Sequence, residues 1–195
     1  HDHGHPFAAI TKSSLIERDI DLLAPMAERG QVMAAVTITT LDAEIARTLE
    51  PRAATPTRRL RTIQALAQAG IPVGVSIAPV VPFVTEPDLE RVLDACAQAG
   101  ATSASYIVLR LPWEVAPLFK DWLAAHFPQR AERVLARVRD MRGGKDYDSS
   151  FSQRMKGEGA WADLLRQRFE RAVKRLGLNA RRHGILDMSH FKRPV

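Results

Sequence analysis

The sequence predicts an α/β fold in which parallel strands alternate with helices. A helical segment rich in Ala and Leu ends at a glycine and is followed within a few residues by an apolar, partly β-branched run. This pattern occurs three times, with glycines at Gly30, Gly70 and Gly100. Glycine suits the left-handed position just past a helix end. A further apolar run begins at Phe7, so the pattern predicts four strands joined by right-handed crossovers.

The predicted strands read as buried on both faces. The runs at 34–38 and 73–77 are continuously apolar or small, which is typical of strands covered on both sides. We expect four parallel strands side by side in sequence order, with helices on one outer face, near residues 7–12, 33–39, 73–79 and 104–110. Four strands do not close a barrel, so the sheet is either open or continued by strands that precede residue 1.

The character of the chain changes after Leu111. We predict helices near 117–126, 130–142 and 160–176, with Gly143-Gly144 ending the second and a polar loop over 145–159. The expected division is a partial barrel over residues 1–112 and a helical extension with a basic tail over residues 113–195, packed on the barrel.

Composition excludes several classes of protein. Hydrophobic residues make up 46% of the chain and charged residues 26%, as in ordinary globular domains. No apolar run approaches the roughly 20 residues of a membrane helix, and the polar start has no signal-peptide core, so we expect a cytoplasmic protein. Cys96 is the only cysteine and lies between apolar residues of a predicted helix, which favours a buried core position. The cluster at residues 1–5 contains three histidines, but it precedes a strand, and we interpret it as a polar loop rather than a metal site.

Charge is unevenly distributed along the chain. Residues 130–195 carry a net charge of +9, whereas residues 1–129 carry −3. Such asymmetry fits either solvated helix faces or a basic face that meets an anion such as nucleic acid. On the last predicted helix, Arg168, Arg171 and Arg175 fall on one stripe beside the apolar stripe, where they could stay exposed and contact phosphates.

Candidate ligand-binding residues follow from the strand order. Ligands of parallel α/β folds meet the carboxyl ends of the strands. Lys12 ends the first predicted strand and Arg52 lies in a following loop, so both could neutralise a carboxylate, while Thr37 and Thr39 could bond hydroxyl groups. Lys12 could equally point to solvent, and β-branched residues such as these threonines are common in strands for structural reasons alone.

Several segments, in order and spacing, resemble spore photoproduct lyase-like radical S-adenosylmethionine (SAM) proteins, most closely an uncharacterised bacterial branch. They are Ile10-Thr11-Lys12-Ser13, Val36-Thr37-Ile38-Thr39, Leu49-Glu50-Pro51-Arg52, Val75-Ser76-Ile77-Ala78-Pro79, Leu109-Arg110-Leu111-Pro112, Met141-Arg142-Gly143-Gly144 and the run from Ala162 to Phe169. The resemblance implies a partial (β/α)6 TIM-like barrel, of which these strands are the third to sixth. It also implies that Lys12, Thr37 and Ala78 contact SAM, with Arg52 a weaker correspondence.

The resemblance implies a radical SAM enzyme that cleaves SAM reductively to a 5′-deoxyadenosyl radical. Such enzymes hold a [4Fe–4S] cluster on three cysteines spaced CxxxCxxC, which this chain lacks and which the family carries upstream of the matching region. This chain alone is therefore expected to be inactive. In the full-length protein, the implied partners are an electron donor such as flavodoxin or ferredoxin and an unknown substrate, possibly nucleic acid.

Two other functions remain open from the sequence. A Schiff-base or phosphate-binding barrel enzyme could use Lys12, although no acidic partner for Lys12 is evident nearby in the sequence and no late glycine-rich phosphate loop is present. A non-enzymatic nucleic-acid-binding module would depend on the basic C-terminal third, which contains no recognised binding motif.

Overall fold

The computed structural model describes residues 3–147, 155–180 and 186–193. Its sheet has four parallel strands in the order β1-β2-β3-β4, as the sequence predicts. They are β1 (Phe7–Thr11), β2 (Val32–Thr37), β3 (Val73–Val80) and β4 (Ser103–Val108). The sheet is open, and its strand order is that of part of a TIM-like fold.

Helices follow the strands as the alternating pattern requires. They are α1 (Ile20–Glu28), α2 (Ala43–Leu49), α3 (Pro56–Gln68), α4 (Leu89–Gln98), α5 (Val115–His126), α6 (Pro128–Asp140) and α7 (Gly159–Arg175). Short 3-10 helices span Ser14–Asp19 and Glu86–Asp88. Side-chain caps start two of the helices: Asp42 accepts from the first backbone N–H groups of α2, and Thr55 accepts from the Arg58 N–H of α3.

The two faces of the sheet differ in chemistry. Alternate residues of β2 and β3, among them Val36 and Val75, pack with apolar residues of α1, α3, α4 and α7 in the main core. On the opposite face the in-register rows are small or hydroxylated, as in Ala35–Gly74–Ser103 and Thr37–Ser76–Ser105. Gly74 is required there, because a Cβ atom at this position would lie 2.4 Å from the Ser103 hydroxyl oxygen. The face away from the helix layer therefore carries only small or hydroxylated side chains in these rows.

A second core attaches α5 and α6 to the carboxyl ends of β3 and β4. Its buried members are Val81, Val84, Leu109, Leu111, Phe119, Leu123, Val134 and Val138. The indole N–H of Trp122 donates to the Thr48 carbonyl at 3.0 Å and so fixes α5 to α2. The helical pair α5–α6 thus forms a wall next to the ends of the strands.

The two edge strands of the sheet differ in the hydrogen bonds on their outer sides. At the β4 edge, Val108 N–H donates to the Met155 carbonyl at 3.0 Å, and the Asn179 amide bonds both the N–H and the carbonyl of Ala104. The outer edge of β1 has no strand partner among the described residues, and Ile10 there is 73% exposed. None of the helices in the described ranges is long and apolar enough to cross a membrane.

Candidate cofactor cleft

The carboxyl end of the sheet brings Lys12 to a group of polar partners. Its ammonium, at the end of β1, donates to Glu50 Oε1 at 2.5 Å and to the Ala78 carbonyl at 3.1 Å. Ala78 belongs to β3, and Glu50 lies just after α2. Lys12 therefore reaches across the end of β2, and two of its three N–H groups are used.

Arg59 holds the other side of Glu50. Its guanidinium donates to Glu50 Oε2 at 2.6 Å, to the Thr37 carbonyl at 2.8 Å and to the Ala54 carbonyl at 2.6 Å. Because Arg59 lies in the first turns of α3, this side chain ties that helix to the end of β2 and to the loop that carries Glu50. We call Lys12, Glu50 and Arg59 the charge triad.

Burial determines where the charge triad presents its charge. The side chains of Arg59 and Glu50 are only 2% and 8% exposed, whereas that of Lys12 is 40% exposed. Two cations share one carboxylate, so the triad carries a net charge of +1. Since Arg59 is enclosed and committed to three acceptors, the excess positive charge is accessible at the Lys12 ammonium.

Two cavities meet at Lys12 and Glu50. One, of about 480 Å³, lies against the ends of β3 and β4, where Pro79, Ile107, Leu109, Arg110 and Phe119 contribute to its lining. The other, also of about 480 Å³, lies between Ser13 and the loop that carries Arg52. We refer to the first as the cleft. Its volume lies in the range of small-molecule sites, and its mostly apolar lining with few polar groups is typical of them.

The four predicted site residues all lie at the carboxyl end of the sheet, in different settings. Lys12 and Ala78 are in direct contact and line the cleft. Thr37 is buried, and its carbonyl is bonded to Arg59. Arg52 is exposed and lines the second cavity with Lys12. The structure thus groups Lys12 with Ala78 directly, with Thr37 through the charge triad, and with Arg52 across a cavity.

The expectation that Lys12 lacks an acidic partner is wrong. Glu50 was visible only as part of the Glu-Pro turn, and Arg59 carried no signal beyond its place in an amphipathic helix. Their pairing arises because the chain after α2 turns back to β1, where Ala54 N–H donates to the Lys12 carbonyl at 3.3 Å. Arg110 also lines the cleft, and the sequence indicated it only as the end of the fourth strand and as part of the resembling segment 109–112.

Cys96 is a core residue, as predicted. It lies in α4 with no exposed surface, and burial raises the pKa of its thiol to about 12. A thiol in this state is a poor metal ligand and nucleophile at neutral pH. The described residues contain no group of three or more His, Cys, Asp or Glu side chains that could hold a metal ion. His1 and Asp2 of the histidine-rich start lie outside the described residues.

The match to a known family covers three of the four strands whose ends form the site. Residues 1–96 match the model of the Radical SAM superfamily. This segment contains β1 to β3, the whole charge triad and all four predicted site residues. The match is to the superfamily as a whole and leaves the narrower group and the substrate open.

Curated relatives match part of this chain. The uncharacterised protein Rv2578c of Mycobacterium tuberculosis is 35% identical over 132 residues, which are 67% of this chain and 39% of that protein. The uncharacterised protein ORF301 of the Acidianus two-tailed virus is 34% identical over 102 residues, or 50% of this chain and 33% of that protein. The chain therefore spans about two fifths or less of the length of these relatives.

Proposed function

We propose that this chain is part of a radical SAM enzyme similar to the spore photoproduct lyase-like group, and that the cleft binds SAM. The observation that carries the proposal is the charge triad, which lies within the radical SAM match and presents one accessible cation at the carboxyl ends of the strands. Bound to a reduced iron–sulfur cluster, SAM supplies a 5′-deoxyadenosyl radical for hydrogen abstraction.

The residues of the cleft fit SAM. The Lys12 ammonium has one N–H group left after bonding Glu50 and Ala78, and that group can donate to the carboxylate of the methionine part. Ile107, Leu109 and Phe119 form an apolar wall suited to the adenosine part. Glu50 and Arg59 position Lys12, so the ammonium is held in place before the ligand arrives.

The described residues cannot supply the cysteine ligands of the iron–sulfur cluster. Cys96 is buried in the helix layer, and no other cysteine is present in the chain. By the resemblance, the proposal assigns the three cluster cysteines to a part of the protein that precedes residue 1; the relatives are long enough to hold further segments on top of the matched one. It predicts CxxxCxxC in that upstream segment, with an electron donor such as flavodoxin or ferredoxin reducing the cluster.

The setting of Lys12 argues against the Schiff-base alternative. Nucleophilic lysines are activated by an apolar pocket or by a neighbouring cation. Lys12 instead donates hydrogen bonds to the Glu50 carboxylate at 2.5 Å and to the Ala78 carbonyl at 3.1 Å. This arrangement suits binding of an anion better than attack on a carbonyl.

Substitution of Lys12 tests the proposal. In the full-length protein with a reconstituted cluster, Lys12→Ala should weaken SAM binding by about 1.5–3 kcal/mol, because one charge-assisted contact to the carboxylate is lost. Isothermal titration calorimetry measures the difference. Arg61→Ala is the matched control, since it removes an exposed cation of α3 that does not line the cleft. Equal SAM affinity of Lys12→Ala and the parent would remove Lys12 from the site.

A further inference from the structure

A second cation lines the same cleft without an acidic partner. Arg110 follows β4, and its guanidinium contacts only neutral groups among the described residues. One terminal nitrogen lies 3.3 Å from the Tyr147 hydroxyl and the other 3.7 Å from the Met155 sulfur. The Arg110 Nε atom is buried and has no hydrogen-bond partner in the described parts of the chain.

These neutral contacts are weak ones for a guanidinium. A thioether sulfur is a poor acceptor, and 3.3 Å is long for a bond from nitrogen to oxygen. Among the described residues, the acid next to Tyr147 does not pair with Arg110 either. Asp146 is held by Lys120 at 2.5 Å and by Arg139 at 3.7 Å. The charge of Arg110 is therefore uncompensated within the described protein, unlike that of Lys12, which shares Glu50.

We propose that Arg110 binds an oxyanion group of the substrate, a carboxylate or a phosphate, in the part of the cleft farthest along the sheet from β1. This inference rests on the proposed function, in which Lys12 serves the cofactor and leaves Arg110 for the second ligand. An oxyanion would replace the Tyr147 and Met155 contacts by charge-assisted bonds to a fork of two N–H groups. The apolar side chain of Val115, which also lines the cleft, suits an apolar or planar body that carries the oxyanion.

The experiment titrates this chain with simple oxyanions. Sodium phosphate and sodium acetate are added separately at constant ionic strength, with sodium chloride as reference, and backbone amide signals of residues 107–111 are followed by NMR. We expect at least one oxyanion to shift these signals in a saturable way, and Arg110→Gln to weaken its binding at least ~10-fold, which is the usual scale for a charge-assisted contact. Arg110→Lys should bind the oxyanion more weakly than the parent but more tightly than Arg110→Gln, since lysine keeps the positive charge but lacks the two parallel N–H groups of the guanidinium.

Controls separate this inference from the proposed function. Arg61→Gln removes an equal charge elsewhere and should bind the oxyanion like the parent. Response to phosphate alone identifies a phosphate group, and response to acetate alone identifies a carboxylate. Saturable shifts that are equal in the parent and Arg110→Gln, or no shift with either oxyanion, would overturn the inference. SAM is titrated in parallel: failure of SAM to bind the reconstituted full-length protein, with the Arg110-dependent shift intact, would refute the proposed function and leave the oxyanion site standing.

Discussion

The carboxylate of Glu50 lies between one buried cation and one exposed cation. Arg59 is enclosed, and its three bonds fix the loop and the end of β2, whereas Lys12 faces the cleft. The same carboxylate thus contributes to stability through Arg59 and to ligand binding through Lys12. A substitution on the Arg59 side should therefore change stability first.

We predict that Arg59→Met lowers the free energy of unfolding by about 3 kcal/mol, because it leaves the buried Glu50 carboxylate with Lys12 alone. Urea unfolding followed by circular dichroism measures the loss. Arg61→Met is a control on the same helix and should change stability by no more than about 0.5 kcal/mol. Equal effects of the two substitutions would show that the buried ion pair is not the source of stability.

At the residue scale, the sequence predicted the positions of cations better than their partners. The resemblance implied that Lys12 and Ala78 contact the same ligand, and their proximity follows because the carboxyl ends of parallel strands lie at one edge of the sheet. The pairing of Glu50 with Lys12 depends on the path of the chain between α2 and α3, which has no periodic pattern. Arg59 gave no signal because a buried arginine on a helix has the same letter and spacing as an exposed one.

Helix α7 is held on α4 by ion pairs as well as by apolar packing. Arg168 bonds Glu86 and, through two nitrogens at 2.7 Å each, Glu90. Arg175 pairs with Asp94 at 2.8 Å. The expected exposure is therefore wrong for Arg168, which is partly buried between two acids, whereas Arg175 is exposed but paired with Asp94.

We predict that Arg168→Gln lowers stability by about 1.5–3 kcal/mol at neutral pH, the scale of bonds between charged groups. The bond from Arg168 lowers the pKa of the Glu90 carboxyl below its ordinary value of 4.5. A lowered carboxyl pKa contributes stability that is complete above the unfolded value and is lost as pH falls through the folded value. The difference between parent and variant should therefore shrink below about pH 4.5.

Thermal unfolding at several pH values measures this difference. Arg171→Gln is the matched control, since Arg171 is exposed on the same helix and has no ion pair among the described residues. A loss of stability in Arg168→Gln that stayed constant down to pH 3 would contradict the assignment to Glu90.

At the element scale, periodicity predicted the strands and helices within a few residues, but not what covers the sheet edge. The segment 145–159 was expected to be a polar loop. Its described end instead supplies the Met155 carbonyl that accepts from β4, and Lys156 donates to the Tyr106 carbonyl at 2.8 Å. Such contacts depend on tertiary position and leave no pattern in the local sequence. The remainder of that loop, residues 148–154, lies outside the described residues.

For the whole molecule, the ion pairs of α7 reduce the basic surface that nucleic acid could meet. We retain nucleic acid as a possible substrate of the full-length protein on the strength of the +9 charge of residues 130–195. Arg181 and Arg182 contribute to this charge and lie outside the described residues. On α7, Arg171 and Lys174 are exposed, so a contribution of these two cations to phosphate binding can be tested.

We predict that replacing Arg171 and Lys174 by Gln reduces the salt slope of duplex DNA binding by up to about 0.9 per lost contact, whereas Arg168→Gln leaves the slope unchanged. Fluorescence anisotropy across a series of salt concentrations measures these slopes. Absence of binding at low salt would exclude duplex DNA as a ligand of this chain.

The two edges of the sheet differ in their capacity to pair with a further strand. Phe7 N–H donates to the Gln31 carbonyl at 2.9 Å, and alternate residues of a strand bond the same neighbour, so the N–H groups of Ala8 and Ile10 point away from β2. The β4 edge is different, because the Asn179 amide occupies both backbone groups of Ala104. An additional strand is therefore sterically and chemically possible at β1, which is the side required by a partial barrel whose first strands precede residue 1.

Hydrogen exchange tests this asymmetry. In this chain alone, we expect the amides of Ala8 and Ile10 to exchange rapidly and that of Ala104 to exchange slowly, because only Ala104 has an acceptor. Asn179→Ala should accelerate exchange at Ala104 and leave Ala8 and Ile10 unchanged. In the full-length protein, the amides of Ala8 and Ile10 should become protected from exchange because their N–H groups bond an added strand. The exchange rate of the Ala104 amide should not change. Equally rapid exchange of Ala8 and Ile10 in both proteins would mean that no strand is added at β1, and the barrel interpretation would then fail along with it.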